Sequence, residues 1–147
     1  MAFDVIMVAT DFEPAAKAAL DFAIELARPL GARVVVAHVF DLPLVGLPDA
    51  TLMVGPETAA RLSDEAQKAL DTELARVQDR GVPVRGVLHQ GDPREGVGEL
   101  AASEKASLVV VGSHGRRGVA RALLGSIAED VLRRSAVPVT VVHKASS

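Results

Sequence analysis

The sequence contains no cysteine, no tryptophan and no tyrosine, and phenylalanine occurs only four times. Without cysteine there can be no disulfide framework and no thiolate metal site, and the chain suits a reducing compartment. Basic residues are not in excess: 16 Lys and Arg stand against 19 Asp and Glu, a formal charge of −3. Nucleic-acid binding usually calls for a basic surface, so no nucleic-acid partner is expected. No apolar run reaches the ~18 residues that a membrane span requires. The opening Met1-Ala2-Phe3-Asp4 lacks the basic flank and apolar stretch of a secretory signal. A soluble, cytoplasmic protein with no membrane partner is therefore expected. What is present is a chain of 147 residues, 49% hydrophobic, long enough for one domain spanning 1–147 with its own core. With so few aromatics, that core must be built from Val, Ala, Leu and Ile, which suits a parallel sheet covered on both faces.

Punctuation divides the chain into alternating strand and helix patterns. Asp4 to Thr10 reads as a strand, Pro14 to Leu30 as a helix closed by Gly31, and Arg33 to Phe40 as a second strand. Thr58 to Arg80 carries apolar residues at helical spacing and stops at Gly81. Val84 to His89, weakened by Gly86, reads as an edge strand. Asp92-Pro93-Arg94-Glu95 opens a helix running to Glu104, with Asp92 as N-cap. Leu108 to Gly112, a glycine loop, a helix over Ile127 to Arg134 and a strand over Val137 to His143 complete five strands and four helices. Strict alternation implies an open parallel α/β sheet with right-handed crossovers. Pattern alone permits either a 3-2-1-4-5 or a flavodoxin-like strand order. The connection from Asp41 to Pro56 is longer than most such links. It has three readings: a lid over the ligand, a partner contact, or packing on its own domain.

The most informative segment is Gly112-Ser113-His114-Gly115, nine residues to Leu124, then Gly125-Ser126. It lies between a buried strand and a helix start. Unsatisfied amides and the helix dipole favour an anion at such a start, and glycines let it approach the backbone. Between 112 and 134, five arginines (116, 117, 121, 133, 134) face Glu129 and Asp130, a local balance of +3 in an acidic chain. A small polyanion, and so a nucleotide, is the implied ligand. The plainer reading is a turn followed by a capping box, Ser126 with Glu129.

The Gly-x-x-Gly, nine-residue, Gly-Ser run resembles the ATP-binding motif of the universal stress protein family. Val8-Ala9-Thr10-Asp11, Ala37-His38-Val39, Gly91-Asp92-Pro93 and Val137-Pro138-Val139 follow the family pattern in order and spacing. The resemblance implies a single-domain, five-stranded parallel sheet of order 3-2-1-4-5 with helices on both faces, like the adenine-nucleotide α-hydrolases. It implies ATP as cofactor, with Mg²⁺ or Mn²⁺ as counter-ion, and a homodimer paired through the last strand. Carried over residue by residue, Ala9, Thr10, Asp11 and Val39 would border adenine and ribose. Gly112, Ser113, His114, Gly115, Arg116, Arg117 and Gly118, with Gly125, Ser126 and Ile127, would hold the phosphates. The family usually places a serine two residues after this aspartate, where this chain has Glu13. Asp11 therefore has two readings, ligand contact or helix cap.

Other patterns are weaker. His38, His89, His114 and His143 fall at or near strand ends, but strands ~4.8 Å apart place the outer two roughly 19 Å apart in that order, too far to share an ion. No histidine metal site is expected. Gly96-Val97-Gly98 imitates a dinucleotide fingerprint but lies inside a helix, where it serves close packing on the sheet. There is no Gly-Lys-Ser/Thr ending of a P-loop, and no aspartate pair after the first strand as in response regulators. The expected function is an ATP-binding regulatory protein of the stress response. A slow ATPase or a protein phosphorylating itself at Ser126 is the alternative; no base with an orienting partner is visible, and no catalytic residue is assigned. A dimeric module with an empty pocket is a third reading, opposed by the intact glycine motif.

Overall fold

The computed structural model describes residues 2–42, 44–47, 50–53, 55–113 and 124–143. In chain order the elements are β1 (Val5–Ala9), α1 (Pro14–Leu30), β2 (Arg33–Phe40), β3 (Leu44–Leu47), β4 (Ala50–Met53), α2 (Pro56–Val77), β5 (Val84–Gln90), α3 (Pro93–Ser103), β6 (Leu108–Gly112), α4 (Ser126–Arg134) and β7 (Val139–Val142). The main sheet runs β5-β2-β1-β6-β7 and is parallel throughout. Counting only its own strands, that is the order 3-2-1-4-5, and the flavodoxin-like alternative is excluded. β5 lies at one edge, as its glycine suggested.

The connection after β2 is not plain coil. Its β3 and β4 form an antiparallel hairpin, with Leu44 opposite Met53 and Leu47 opposite Ala50. This hairpin was not anticipated from the sequence. Helix bounds shift slightly as well: α2 begins at Pro56 and ends at Val77, ahead of the turn that reaches Gly81 at φ 78°.

Strand alternation assigns each side chain to a face. Ile6, Val8, Val34, Val36 and Val110 pack with Leu20, Ile24, Leu70 and Val77 of α1 and α2. Met7, Val35, Val109 and Val111 pack with Val97, Leu100, Ala128 and Val131 of α3 and α4. Burial on both faces is why the strands read as unbroken Val and Ile runs. Alanines 15, 16, 19, 23 and 27 form the buried face of α1, so that helix sits close to the sheet. Gly31 closes α1 in the left-handed region at φ 65°. On the outer surface Arg76 binds both Glu73 and Asp21, and Arg80 also reaches Asp21, joining α2 to α1. Glu73 is buried, and its carboxylate is the main reason the Arg76 guanidinium titrates above its usual range, followed by Asp21. Among the described residues no helix is long and apolar enough to cross a membrane.

Candidate functional site

The order of the main sheet reverses between β1 and β6. Chains leaving these two strands go to opposite faces, which opens a crevice at their carboxyl ends. A cavity of about 170 Å³ lies there, bordered by Ala9, Thr10, Asp11, Ala16, Ala37, His38, Val39, Pro93, Val97, Val111, Gly112 and Gly125 to Ala128. Toward β2 and α3 it is lined by the apolar Ala37, Val39, Pro93 and Val97, with His38 of β2 beside them. Toward β6 and α4 it is lined by Val111, Gly112, Gly125, Ser126, Ile127 and Ala128.

Three helices begin at this cavity, and they differ in what they present. α1 and α3 both carry proline at their start, so each lacks a donor in its first turn. α3 is further closed by Asp92, whose side chain accepts from the Arg94 N–H at 2.9 Å. That backbone bond, and then the Arg94 side chain, hold the Asp92 carboxyl below its ordinary value. α4 has neither device. Its N-cap is Gly125, no side chain among the described residues caps it, and its first intrahelical bond runs from the Glu129 N–H to the Gly125 carbonyl at 3.0 Å. The amides of Ser126, Ile127 and Ala128 precede that bond, and all three residues line the cavity. The expected capping box is therefore absent: Ser126 is the first helical residue, one position too far along to cap.

Asp11 is at the cavity but does not cap α1. Its Oδ1 accepts from the Glu13 N–H at 3.0 Å, and Glu13 is the N-cap position. Asp11 thus closes a turn ahead of the helix and stays in the crevice. Thr10 does the same one residue earlier, its Oγ1 accepting from the Phe12 N–H at 3.0 Å.

The structure brings Ala9, Thr10, Asp11, Val39, Gly112, Gly125, Ser126 and Ile127 to one cavity. Ser113 does not line it; the residue is fully buried, and its Oγ has no hydrogen-bond partner among the described residues. Its carbonyl accepts from the Gly125 N–H at 2.6 Å, which ties the two ends of the glycine run together. The Gly125 amide is consequently occupied within the fold. His114, Gly115, Arg116, Arg117 and Gly118 lie outside the described residues. Gly112 has a packing reason of its own: a Cβ there would stand 2.7 Å from the Ala15 carbonyl carbon and 2.8 Å from the Ala16 nitrogen. Gly96 is likewise required by packing, since a Cβ would meet Val39 Cγ1 at 2.7 Å, whereas Gly98 has open space. Sequence reasoning missed Ala16, Ala37, His38, Pro93, Val97, Val111 and Ala128 as cavity residues. Pro93 and Val97 were findable, because a helix starting straight after β5 at the carboxyl edge must border the crevice.

Such a crevice at the switch point of a doubly wound sheet defines an α/β domain whose cleft lies where sheets of this kind take their ligands. The chain belongs to the universal stress protein family, whose model matches residues 2–143. It is 34% identical over 141 residues to universal stress protein MJ0531 of Methanocaldococcus jannaschii, covering 95% of this chain and 81% of that one. Among solved structures, MJ0577 of the same organism aligns with a TM-score of 0.81 at 25% identity over 100% of both chains. The universal stress protein of Archaeoglobus fulgidus in complex with dAMP aligns with a TM-score of 0.67 at 26% identity, over 97% of this chain and 99% of that one.

Proposed function

We propose that this protein is an ATP-binding regulator of the stress response, its nucleotide lying across the carboxyl ends of β1 and β6. The observation that carries the reading is the start of α4, which alone of the three helix starts at the cavity has neither a proline nor, among the described residues, a capping side chain. The amides of Ser126, Ile127 and Ala128, with the dipole of α4 behind them, suit phosphate oxygens. The Gly115 to Gly118 stretch and Arg116 and Arg117 complete the phosphate set in this reading. The apolar wall of Ala37, Val39, Pro93 and Val97 suits a purine ring, and Asp11, between the two regions, suits ribose hydroxyls. Mg²⁺ or Mn²⁺ would accompany the phosphates and offset their charge. The dAMP complex of the Archaeoglobus relative supports the same class of ligand. We further place the protein in the cytoplasm as a homodimer joined through β7, the strand that ends the sheet opposite β5.

Ser126 gives a second reading some support. Its hydroxyl makes no capping bond and stands at the proposed phosphate site, as an acceptor of a phosphoryl group would. Binding is tested by native mass spectrometry of the purified protein followed by calorimetric titration with ATP, ADP and AMP. An adenine nucleotide carried on a dimer is the expected result. A nucleotide-free protein that takes up none of the three would refute the assignment.

A further inference from the structure

His38 lines the cavity, yet neither the phosphate contacts nor the purine wall accounts for it. Its Nδ1 lies 2.7 Å from the Thr10 carbonyl oxygen. A carbonyl only accepts, so Nδ1 carries a proton and donates it. The ring meets Phe12 with centroids 4.5 Å apart and Phe40 with centroids 6.4 Å apart.

These contacts hold a turn that has left the sheet. The register between β1 and β2 ends at Ala9 and Ala37. One step beyond, the Thr10 N–H donates to the Ala37 carbonyl at 2.9 Å, and the Thr10 carbonyl takes the His38 side chain. Past Thr10 the backbone folds sharply, and Phe12 adopts φ 65°, a left-handed conformation that a residue with a bulky side chain seldom occupies. The Thr10 and Asp11 side-chain bonds to the Phe12 and Glu13 amides fix the shape of this turn but are local to it. His38 reaches the turn from another strand, by a hydrogen bond at its start and a ring contact at its apex.

We propose that His38 is a positioning residue, clamping the Thr10-Asp11-Phe12 turn against β2 and so setting where Asp11 stands in the crevice. The affinity part of the test rests on the nucleotide reading; the exchange part does not. His38→Asn keeps an N–H donor at the place of Nδ1, whereas His38→Gln moves it to the place of Nε2. Both variants lose the ring, so their difference isolates the donor. In calorimetry with ATP, His38→Gln should bind about tenfold more weakly than His38→Asn, as expected for one lost hydrogen bond in a preorganised site. In the ligand-free protein, hydrogen exchange followed by NMR should be faster at the Phe12 and Glu13 amides in His38→Gln than in His38→Asn. Exchange at Val109 and Val110, inside the sheet, should match in the two, which a general loss of stability would not allow. Equal exchange at Phe12 and Glu13 in the two variants would overturn the proposal, whatever the affinities. If the wild-type protein bound no ATP, the nucleotide reading would fall, and the exchange comparison would still decide the role of His38.

Discussion

Ser126 occupies the first position of α4, behind a glycine that brings no side chain to the exposed amides. Position N1 tolerates proline, and Gly125 at φ −64° and ψ 155° has the extended backbone that a following proline requires. Ser126→Pro should therefore leave α4 in place while deleting one amide donor, making it resemble the starts of α1 and α3. Ser126→Ala deletes only the hydroxyl. If the α4 amides hold phosphate, Ser126→Pro should weaken ATP binding about 10- to 100-fold relative to Ser126→Ala, the range for a hydrogen bond to a charged group. Equal affinities in calorimetry, with matching helical circular dichroism, would show that phosphate is bound elsewhere. A self-phosphorylating protein would instead lose its label in both variants when incubated with γ-labelled ATP. At this scale the sequence was legible wherever a role follows from place along the chain, as with Asp11 at a strand end. The clamp by His38 was not, because it depends on which carbonyl the turn of a neighbouring strand presents.

Two glycines separate what a position does for an element from what it does for a ligand. Gly112 ends β6 against the backbone of Ala15 and Ala16, both buried at the start of α1. Gly112→Ala should push α1 off the sheet and cost about 1–3 kcal/mol, as overpacking does. Gly98 lies within α3 with nothing near its would-be Cβ, and Gly98→Ala should stabilise the protein by about 0.5–1 kcal/mol. Urea unfolding of both variants checks the pair, and a neutral Gly112→Ala would remove the packing explanation. Sequence pattern placed Gly112 in the ligand loop because the backbone it abuts is almost a hundred residues away in the chain. The hairpin β3 and β4 was overlooked for another reason: its two strands are only four residues each, too short for periodicity, although Pro48-Asp49 between apolar runs is a turn signal. Asp92 acts on the start of α3, and its lowered pKa carries a sign. Its contribution to stability is complete above the unfolded carboxyl value and fades as pH falls through the folded one. Asp92→Asn keeps a cap acceptor without the charge, so the stability gap between wild type and variant should narrow as the pH is lowered into the carboxylate range. A gap that stayed constant in acid would assign the effect to something other than this ionisation.

The main sheet ends in two edges, β5 and β7, and the proposed dimer pairs through the second. Strong alternation made the layered architecture readable from sequence, since the central strands β1, β2 and β6 are apolar on both faces and the helices on one. Pattern could not choose between the two strand orders, because both bury the same side chains; only the family resemblance pointed to the one observed. The edge at β7 follows from that order. Val109 N–H reaches the Pro138 carbonyl at 3.0 Å and Ser113 N–H reaches the Val142 carbonyl at 2.9 Å. In a parallel pair these bonds fix the direction of every backbone group. Thr140 and Val142 turn theirs toward β6, and Val139 and Val141 turn theirs outward, where an uncovered edge can pair with another strand. The register thereby separates three proline variants that sequence alone could not tell apart. Val139→Pro and Val141→Pro remove donors that face the proposed partner and should yield folded monomers in sedimentation velocity. Thr140→Pro removes a donor that faces β6, so it should lower the unfolding midpoint of the domain instead. Dimers persisting in folded Val139→Pro and Val141→Pro proteins would exclude this edge. The contact would then have to be sought on another surface, such as the exposed Phe22 and Leu30 of α1. A domain that pairs through β7 sets two crevices beside one two-fold axis, because Val142 of that strand is in register with Gly112 of the cavity. Nucleotide in the crevice and pairing at the edge would then be coupled through β6, and saturating ATP should tighten the dimer by the square of the factor by which dimerisation tightens each ATP site, because the dimer holds two. Sedimentation equilibrium with and without ATP measures that factor, and a value of one would show that edge and crevice act independently.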